Sequence, residues 1–106
     1  MELSKKRCIS CEGGMPPMPR FLIKKYLKKV KNWKLSNNHI YKEFKFKNFK
    51  EALKFVNKVG KIAEKEGHHP DIYFTWGKCK IELFTHAVKG LSENDFILAA
   101  KIDKIK

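Results

Sequence analysis

Three of the four histidines in this chain of 106 residues lie between residues 64 and 95. His68 and His69 are adjacent, and His86 follows them after a short interval. Imidazole is the side chain whose unperturbed pKa, about 6.5, lies nearest neutrality, so histidines placed together are suited to giving and taking protons. We therefore expect the functional site in this stretch.

Three kinds of chemistry are open to these histidines. Together with Asp95 they provide enough ligands for zinc, although adjacent histidines usually point apart and no HExxH spacing is present. Nucleophilic catalysis would need an activated thiol or hydroxyl, whereas Cys79 falls in a strand pattern that predicts burial. General acid and base catalysis, typically about 10²–10⁴-fold per group, would suit two histidines on opposite sides of a small polar substrate. His39 has no partner nearby in sequence and is expected to be structural.

Hydrophobic periodicity predicts the elements that must position these residues. Helices are expected over residues 19–30, 48–66 and from 92 onward, and strands over residues 33–35, 39–46, 71–76 and 79–85. Lys42 interrupts the apolar row of the second strand, which suggests a strand at an edge or in a wet part of the sheet. The order α-β-β-α-β-β-α predicts an α+β fold, a four-stranded antiparallel sheet with three helices on one face.

The ends of these elements place the histidines in loops. Gly67 suits the C′ position of the second helix, so the histidine pair begins just beyond a helix terminus. His86 comes where the last strand ends, and Ser92 with Asp95 forms a variant of the capping box at the start of the third helix. Loops on a rigid support are common places for functional groups.

The spacing of these residues resembles the signature of the pterin-4a-carbinolamine dehydratases. The pattern consists of Glu64, His68-His69-Pro70, Trp76, His86 and Asp95. The flanking sequence is similar as well, at Trp33, Phe44-Lys45-Phe46, Thr85-His86, and Gly90-Leu91-Ser92 with Asp95 and Ala99. The resemblance extends over roughly residues 16–105.

This resemblance implies an enzyme that dehydrates a 4a-hydroxytetrahydropterin to the quinonoid dihydropterin, for pterin recycling, with no cofactor and no metal. By similarity, His68 and His86 are the candidates for proton transfer. His69 is the third catalytic candidate and would contact or orient the pterin. Which imidazole is the acid and which is the base stays open.

The other members of the pattern have alternative roles. Pro70, Trp76 and Asp95 are candidate substrate-binding residues, and Pro70 would also shape the loop. Asp95 either orients a histidine or serves only as a helix-start carboxylate. Trp76 either walls the pocket or is a core aromatic residue. Glu64 is expected either to hold a site residue in place without contacting the substrate, or to be a surface charge.

Composition bounds the class of protein. The length suits one domain, expected over residues 16–106 and preceded by a flexible arm over residues 1–15 in which Cys8 and Cys11 form a CxxC. That pair could serve a metal or redox role, or be two ordinary thiols. No apolar run approaches the ~20 residues of a membrane span, and no signal peptide begins the chain, so we expect a cytoplasmic protein.

The formal net charge of +13 is concentrated in residues 1–50, which hold 14 Lys/Arg against 3 Asp/Glu. The lysines alternate with apolar residues as on solvated faces, and no nucleic-acid-binding motif accompanies them, so nucleic acid is not the expected partner.

Two other functions stay open. The family resemblance also implies a non-catalytic dimerisation partner of a homeodomain transcription factor, or a related pterin dehydratase in molybdopterin metabolism. The broad apolar face of residues 49–63 predicts self-association, and the resemblance implies a homodimer or homotetramer.

Overall fold

The predicted element order and the α+β class are confirmed in the computed structural model, which describes residues 2–9 and 16–105. The helices are α1 (Arg20–Leu27), α2 (Phe49–Glu66) and α3 (Glu93–Asp103), and the strands are β1 (Lys34–Ser36), β2 (His39–Lys45), β3 (Asp71–Thr75) and β4 (Lys78–Leu83). Short 3-10 turns lie at Leu3–Lys5 and His86–Val88. Helix α1 ends three residues earlier than the predicted boundary at residue 30, and Val30 is buried just beyond it.

Helix α2 begins and ends where its sequence predicts. The Asn48 side chain caps the first turn by accepting a hydrogen bond of 2.9 Å from the Glu51 N–H. Gly67 ends the helix with φ at +65°, a conformation that glycine adopts without the steric cost of a Cβ. The sharp turn at Gly67 directs the chain from α2 to His68.

The four strands form one antiparallel sheet in the order β1-β2-β4-β3. Strand β2 pairs with β1 on one side and β4 on the other, so it is not an edge strand. The apolar row of β2 continues across the sheet into Cys79, Ile81 and Leu83 of β4, all fully buried. Lys42 stays in this row because its Nζ donates to Asp103 Oδ1 of α3 at 2.8 Å.

The three helices cover one face of the sheet. Helix α3 lies at the centre of the core, with Phe96, Leu98 and Ile102 buried, and the Tyr26 ring of α1 packs 5.2 Å from the Phe96 ring. On the opposite face, Lys80 lies over the ring of Tyr41, and this face has no helix of the described chain upon it. Alternation along the strands therefore separates an apolar face from a wet face.

Residues 2–9, which belong to the stretch expected to form an arm over residues 1–15, pack against the helices. Leu3 is buried in the core, and the Lys6 ammonium donates to Glu93 of α3 at 2.7 Å. Cys11 lies outside the described residues, so the CxxC stays a sequence pattern. Within the described ranges, no helix is both long and apolar enough to cross a membrane.

Candidate functional site

The β3–β4 hairpin brings the separated histidines together. Asp71 at the start of β3 pairs with Glu82 near the end of β4, so the segments that flank the hairpin leave the sheet at the same end of the strands. His68 and His69 precede the hairpin and His86 follows it. Antiparallel pairing thus places residues distant in sequence at one end of the sheet.

A largely buried hydrogen bond joins His68 to Asp95 of α3. His68 Nε2 lies 2.6 Å from Asp95 Oδ1, with the histidine side chain 11% exposed and the aspartate side chain completely buried. A carboxylate can only accept, so Nε2 carries the proton in this bond. The other ring nitrogen, Nδ1, has no hydrogen-bond partner within residues 2–9 and 16–105, and it is the nitrogen available to a ligand.

Asp95 is held at both carboxylate oxygens. Its Oδ2 accepts from the Thr85 hydroxyl at 2.7 Å and from the Ser92 backbone N–H at 3.0 Å, while Oδ1 accepts from His68. The capping box predicted at Ser92 is present. Orienting a histidine and capping the helix were alternative roles for Asp95, and its two oxygens perform them at the same time.

His69 has a partner of its own on the surface. Its Nε2 lies 2.5 Å from Glu64 Oε2, and both side chains are largely exposed. Glu64, in the last turns of α2, therefore contacts His69. Pro70 is half-buried and connects His69 to the first residue of β3.

His86 lies in an aromatic cluster at the end of β4. Its ring makes an edge contact with Phe84 at 4.9 Å between centroids, and His39 stacks on Phe84 at 4.4 Å. His39 also pairs with Glu82, at 2.8 Å from Nδ1 to Oε1. The loop that carries His86 is closed at its base by a bridge between Thr85 and Gly90.

All three pattern histidines border one cavity of about 270 Å³. Its lining consists of Ile9, Gly67, His68, His69, Phe84, Thr85, His86, Ala87 and Asn94. A larger cavity of about 490 Å³ lies elsewhere, among four lysines with Asp103 and Glu2, and no histidine borders it. Titratable imidazoles, rather than size, identify the smaller cavity as the candidate active site.

Trp76 is the pattern residue that lies away from this cavity. It occupies the turn between β3 and β4, at the opposite end of the hairpin from Pro70, and is 66% exposed. The alternative of a core aromatic residue is therefore wrong. Five strand residues separate Trp76 from the histidine end, about 16 Å at the usual rise per residue.

Thr85, Ile9 and Asn94 also border the cavity, although the sequence pattern does not identify them as site residues. Thr85 belongs only to the flanking sequence of the pattern, yet its hydroxyl binds Asp95. Ile9 and Asn94 carry no signal in the sequence, because a contact between the N-terminal segment and α3 has no periodic pattern. Within the described residues, no group of three or more His, Cys, Asp or Glu side chains is arranged to hold a metal ion.

Comparisons with known proteins agree with the geometry. A family profile described as "Pterin 4 alpha carbinolamine dehydratase" matches residues 16–105. A protein of Alkaliphilus metalliredigens (strain QYMF) is 55% identical over 104 residues, covering 96% of this chain and 94% of its own. One of Rickettsia canadensis (strain McKiel) is 52% identical over 103 residues, covering 95% and 94% respectively. Both are provisionally named pterin-4-alpha-carbinolamine dehydratases.

A solved structure shares the fold. The crystal structure of a protein from Brucella melitensis, described as a transcriptional coactivator/pterin dehydratase, superposes with a TM-score of 0.79 at 27% sequence identity. The match covers 82% of this chain and 95% of the other.

Proposed function

The chain belongs to the pterin 4 alpha carbinolamine dehydratase family, and we propose that it dehydrates a 4a-hydroxytetrahydropterin by general acid and base catalysis. The observation that carries the proposal is the buried His68–Asp95 pair, whose histidine borders a cavity together with His69 and His86. The proposed product is the quinonoid dihydropterin, which a reductase could return to the pterin cycle.

The reaction needs both an acid and a base. The bond from C4a to the hydroxyl oxygen breaks, and the hydroxyl leaves as water once it receives a proton. The N5–H bond breaks as well, and its electrons form the C4a=N5 double bond. A group that takes the N5 proton and a group that protonates the hydroxyl together complete the elimination.

His68 is suited to act as the base. Asp95 fixes its ring through Nε2 and stabilises the imidazolium that forms when Nδ1 takes a proton. Thr85 and Ser92 in turn hold the carboxylate, so the ring cannot turn freely. We assign His68 the N5 proton on this ground.

His86 is then the acid for the leaving hydroxyl, because it borders the cavity from the β4 side and is exposed to solvent, which can return its proton. His69 would contact the pterin, with Glu64 orienting its ring. Pro70 shapes the approach to the strand. Trp76 could contact substrate only through another copy of the chain.

The test is turnover of chemically generated 4a-hydroxytetrahydropterin, followed by absorbance. We expect His68→Gln and His86→Gln each to lower kcat at least tenfold. Glu43→Gln is the control, because Glu43 pairs with Lys78 and does not border the cavity, and its activity should stay within twofold of wild type. A folded wild-type protein that does not exceed the spontaneous rate would refute the proposal.

A partner-binding function is the second candidate. It is favoured by the likeness to the Brucella melitensis protein, which is described as a transcriptional coactivator as well as a pterin dehydratase. Such a role does not require the histidines, so partner binding that survives in an inactive His68→Gln variant would support it. A related dehydratase acting on molybdopterin intermediates is distinguished by substrate preference.

Self-association is part of the proposal. Phe49 and Leu53 lie exposed on α2, and the wet face of the sheet is also uncovered, so two surfaces could meet a second copy. We therefore expect homodimers or homotetramers, and light scattering would measure the molar mass of the assembly.

We expect the protein to act in the cytoplasm, and cell fractionation would test this location.

A further inference from the structure

Residues 2–9 are tied to α2 and α3 along their length. Lys101 Nζ donates to the Ser4 carbonyl at 2.9 Å, and the Cys8 N–H donates to Glu66 Oε1 at 2.9 Å. Leu3 anchors the beginning of this segment in the core. The segment therefore runs along the helices towards the histidine end of the sheet.

Asn94 forms two hydrogen bonds with Ile9 at the end of the segment. Its Oδ1 accepts from the Ile9 N–H at 3.0 Å, and its Nδ2 donates to the Ile9 carbonyl at 2.6 Å. The asparagine is only 4% exposed, so its amide would lose both interactions at a cost if the segment left. The paired bonds copy those of a β-ladder and fix the backbone of Ile9.

Glu66 keeps its hydrogen bond from the Cys8 N–H at neutral pH. Burial alone would raise the pKa of its carboxyl, but the hydrogen bond from the Cys8 N–H and the charge of Lys101 outweigh burial and hold the pKa below its usual value. The carboxylate is thus ionised at neutral pH and accepts a hydrogen bond from the segment.

Ile9 is an aliphatic residue with an exposed side chain. Its side chain is 69% exposed, yet it borders the cavity of His68, His69 and His86, where Phe84 and Ala87 supply the other apolar surface. The histidines offer polar contacts for the edge of a flat heterocycle, whereas an aliphatic side chain suits its face.

Resting on the proposed function, we propose that Ile9 is an apolar wall of the pterin site, contacting the face of the ring, and that Asn94 is the residue that positions it. The N-terminal segment is then part of the substrate-binding machinery. Its contribution lies in binding the pterin, because neither Ile9 nor Asn94 exchanges a proton with it.

The test separates KM from kcat in the full-length protein. Ile9→Ala removes three carbons that contact one face of the ligand, so we expect KM to rise about three- to tenfold while kcat stays within twofold. The dissociation constant of a non-reacting 7,8-dihydropterin should rise by the same factor. Phe21→Ala is the matched control, because Phe21 is 74% exposed on α1 and does not border the cavity.

Asn94→Ala should reproduce the rise in KM, and the Ile9→Ala/Asn94→Ala double variant should show no further rise. This non-additivity is expected only if Asn94 acts through Ile9. Lower stability is expected in either case, because Asn94→Ala removes two buried hydrogen bonds. A merely structural role would leave the KM of Asn94→Ala at the wild-type value or add to the effect of Ile9→Ala, and either result would overturn the positioning role.

Two failures are distinguishable. An active wild type whose KM and dihydropterin affinity are unchanged by Ile9→Ala would overturn this inference and leave the proposed function intact. A folded wild type without dehydratase activity would overturn both.

Discussion

Replacing Thr85 by valine tests the network that holds Asp95. Thr85 is buried, and its hydroxyl lies 2.7 Å from Asp95 Oδ2 and 2.8 Å from Ser92 Oγ. Valine has nearly the same shape, so the change removes the hydroxyl without opening a large cavity. Asp95 Oδ2 then keeps only the Ser92 backbone N–H.

The expected loss follows from the charge of the acceptor. A hydrogen bond to a charged group contributes about 1.5–3 kcal/mol, compared with about 1 kcal/mol for a neutral pair. We therefore expect the free energy of unfolding to fall by about 1.5–3 kcal/mol. For a domain of this size that corresponds to a Tm lower by roughly 6–12 °C.

Activity should fall as well. With one support removed from Asp95, His68 is less well oriented, and we expect kcat to drop about tenfold with KM unchanged, a part of the ~10²–10⁴-fold typical of a positioned acid or base.

Urea denaturation measures the change in stability, and an unchanged m-value would show that two-state unfolding is preserved. Thr75→Val is the matched control, since Thr75 is an exposed threonine of β3, and its effect should stay within about 0.5 kcal/mol. A Thr85→Val protein as stable and as active as wild type would refute the network. A double-mutant cycle with Asp95→Asn should give a coupling of about 0.5–3 kcal/mol.

Three further outcomes are expected. Because the pKa of Glu66 is lowered in the folded state, its contribution to stability is full above the ordinary carboxyl pKa of 4.5 and is lost as the pH falls through the folded value. Urea titrations from pH 6 to pH 3 should therefore show a smaller loss of stability in Glu66→Gln than in wild type. Gly90→Ala should destabilise by about 1–3 kcal/mol, because the added Cβ would lie 2.7 Å from Pro17 Cβ, whereas Gly60→Ala in the open middle of α2 should stabilise by about 0.5–1 kcal/mol. Burial raises the pKa of the Cys79 thiol to about 11, so a thiol reagent at pH 8 should modify Cys79 only after unfolding, as peptide mass spectrometry would show.

Local sequence determined most of the fold. The cap at Asn48, the glycine after α2 and the capping box at Ser92 set helix ends through contacts a few residues apart. Alternation in β4 identified the buried row that includes Cys79. Such signals depend on short-range geometry, so they can be recognised without knowledge of the partners across the core.

The position of β2 could not be decided in this way. Lys42 in an apolar row indicated either an edge or a wet part of the sheet, and the structure places β2 inside the sheet with Lys42 paired to Asp103. That partner is contributed by α3, far along the chain, so no local pattern announces it.

The candidate site divides along the same line. The sequence by itself determined that His68, His69 and His86 flank a hairpin and therefore meet, since antiparallel pairing brings its two ends together. Only the tertiary structure decided that Asp95 accepts a hydrogen bond from His68 rather than from another histidine.

Tertiary structure also decided the placement of Trp76 and Ile9. The tryptophan belongs to the sequence pattern but lies at the far end of the hairpin, whereas Ile9 reaches the cavity through a contact with Asn94. The physical reason is that periodicity and caps report the contacts of neighbours in sequence, while a site is completed by side chains whose proximity depends on how whole elements pack.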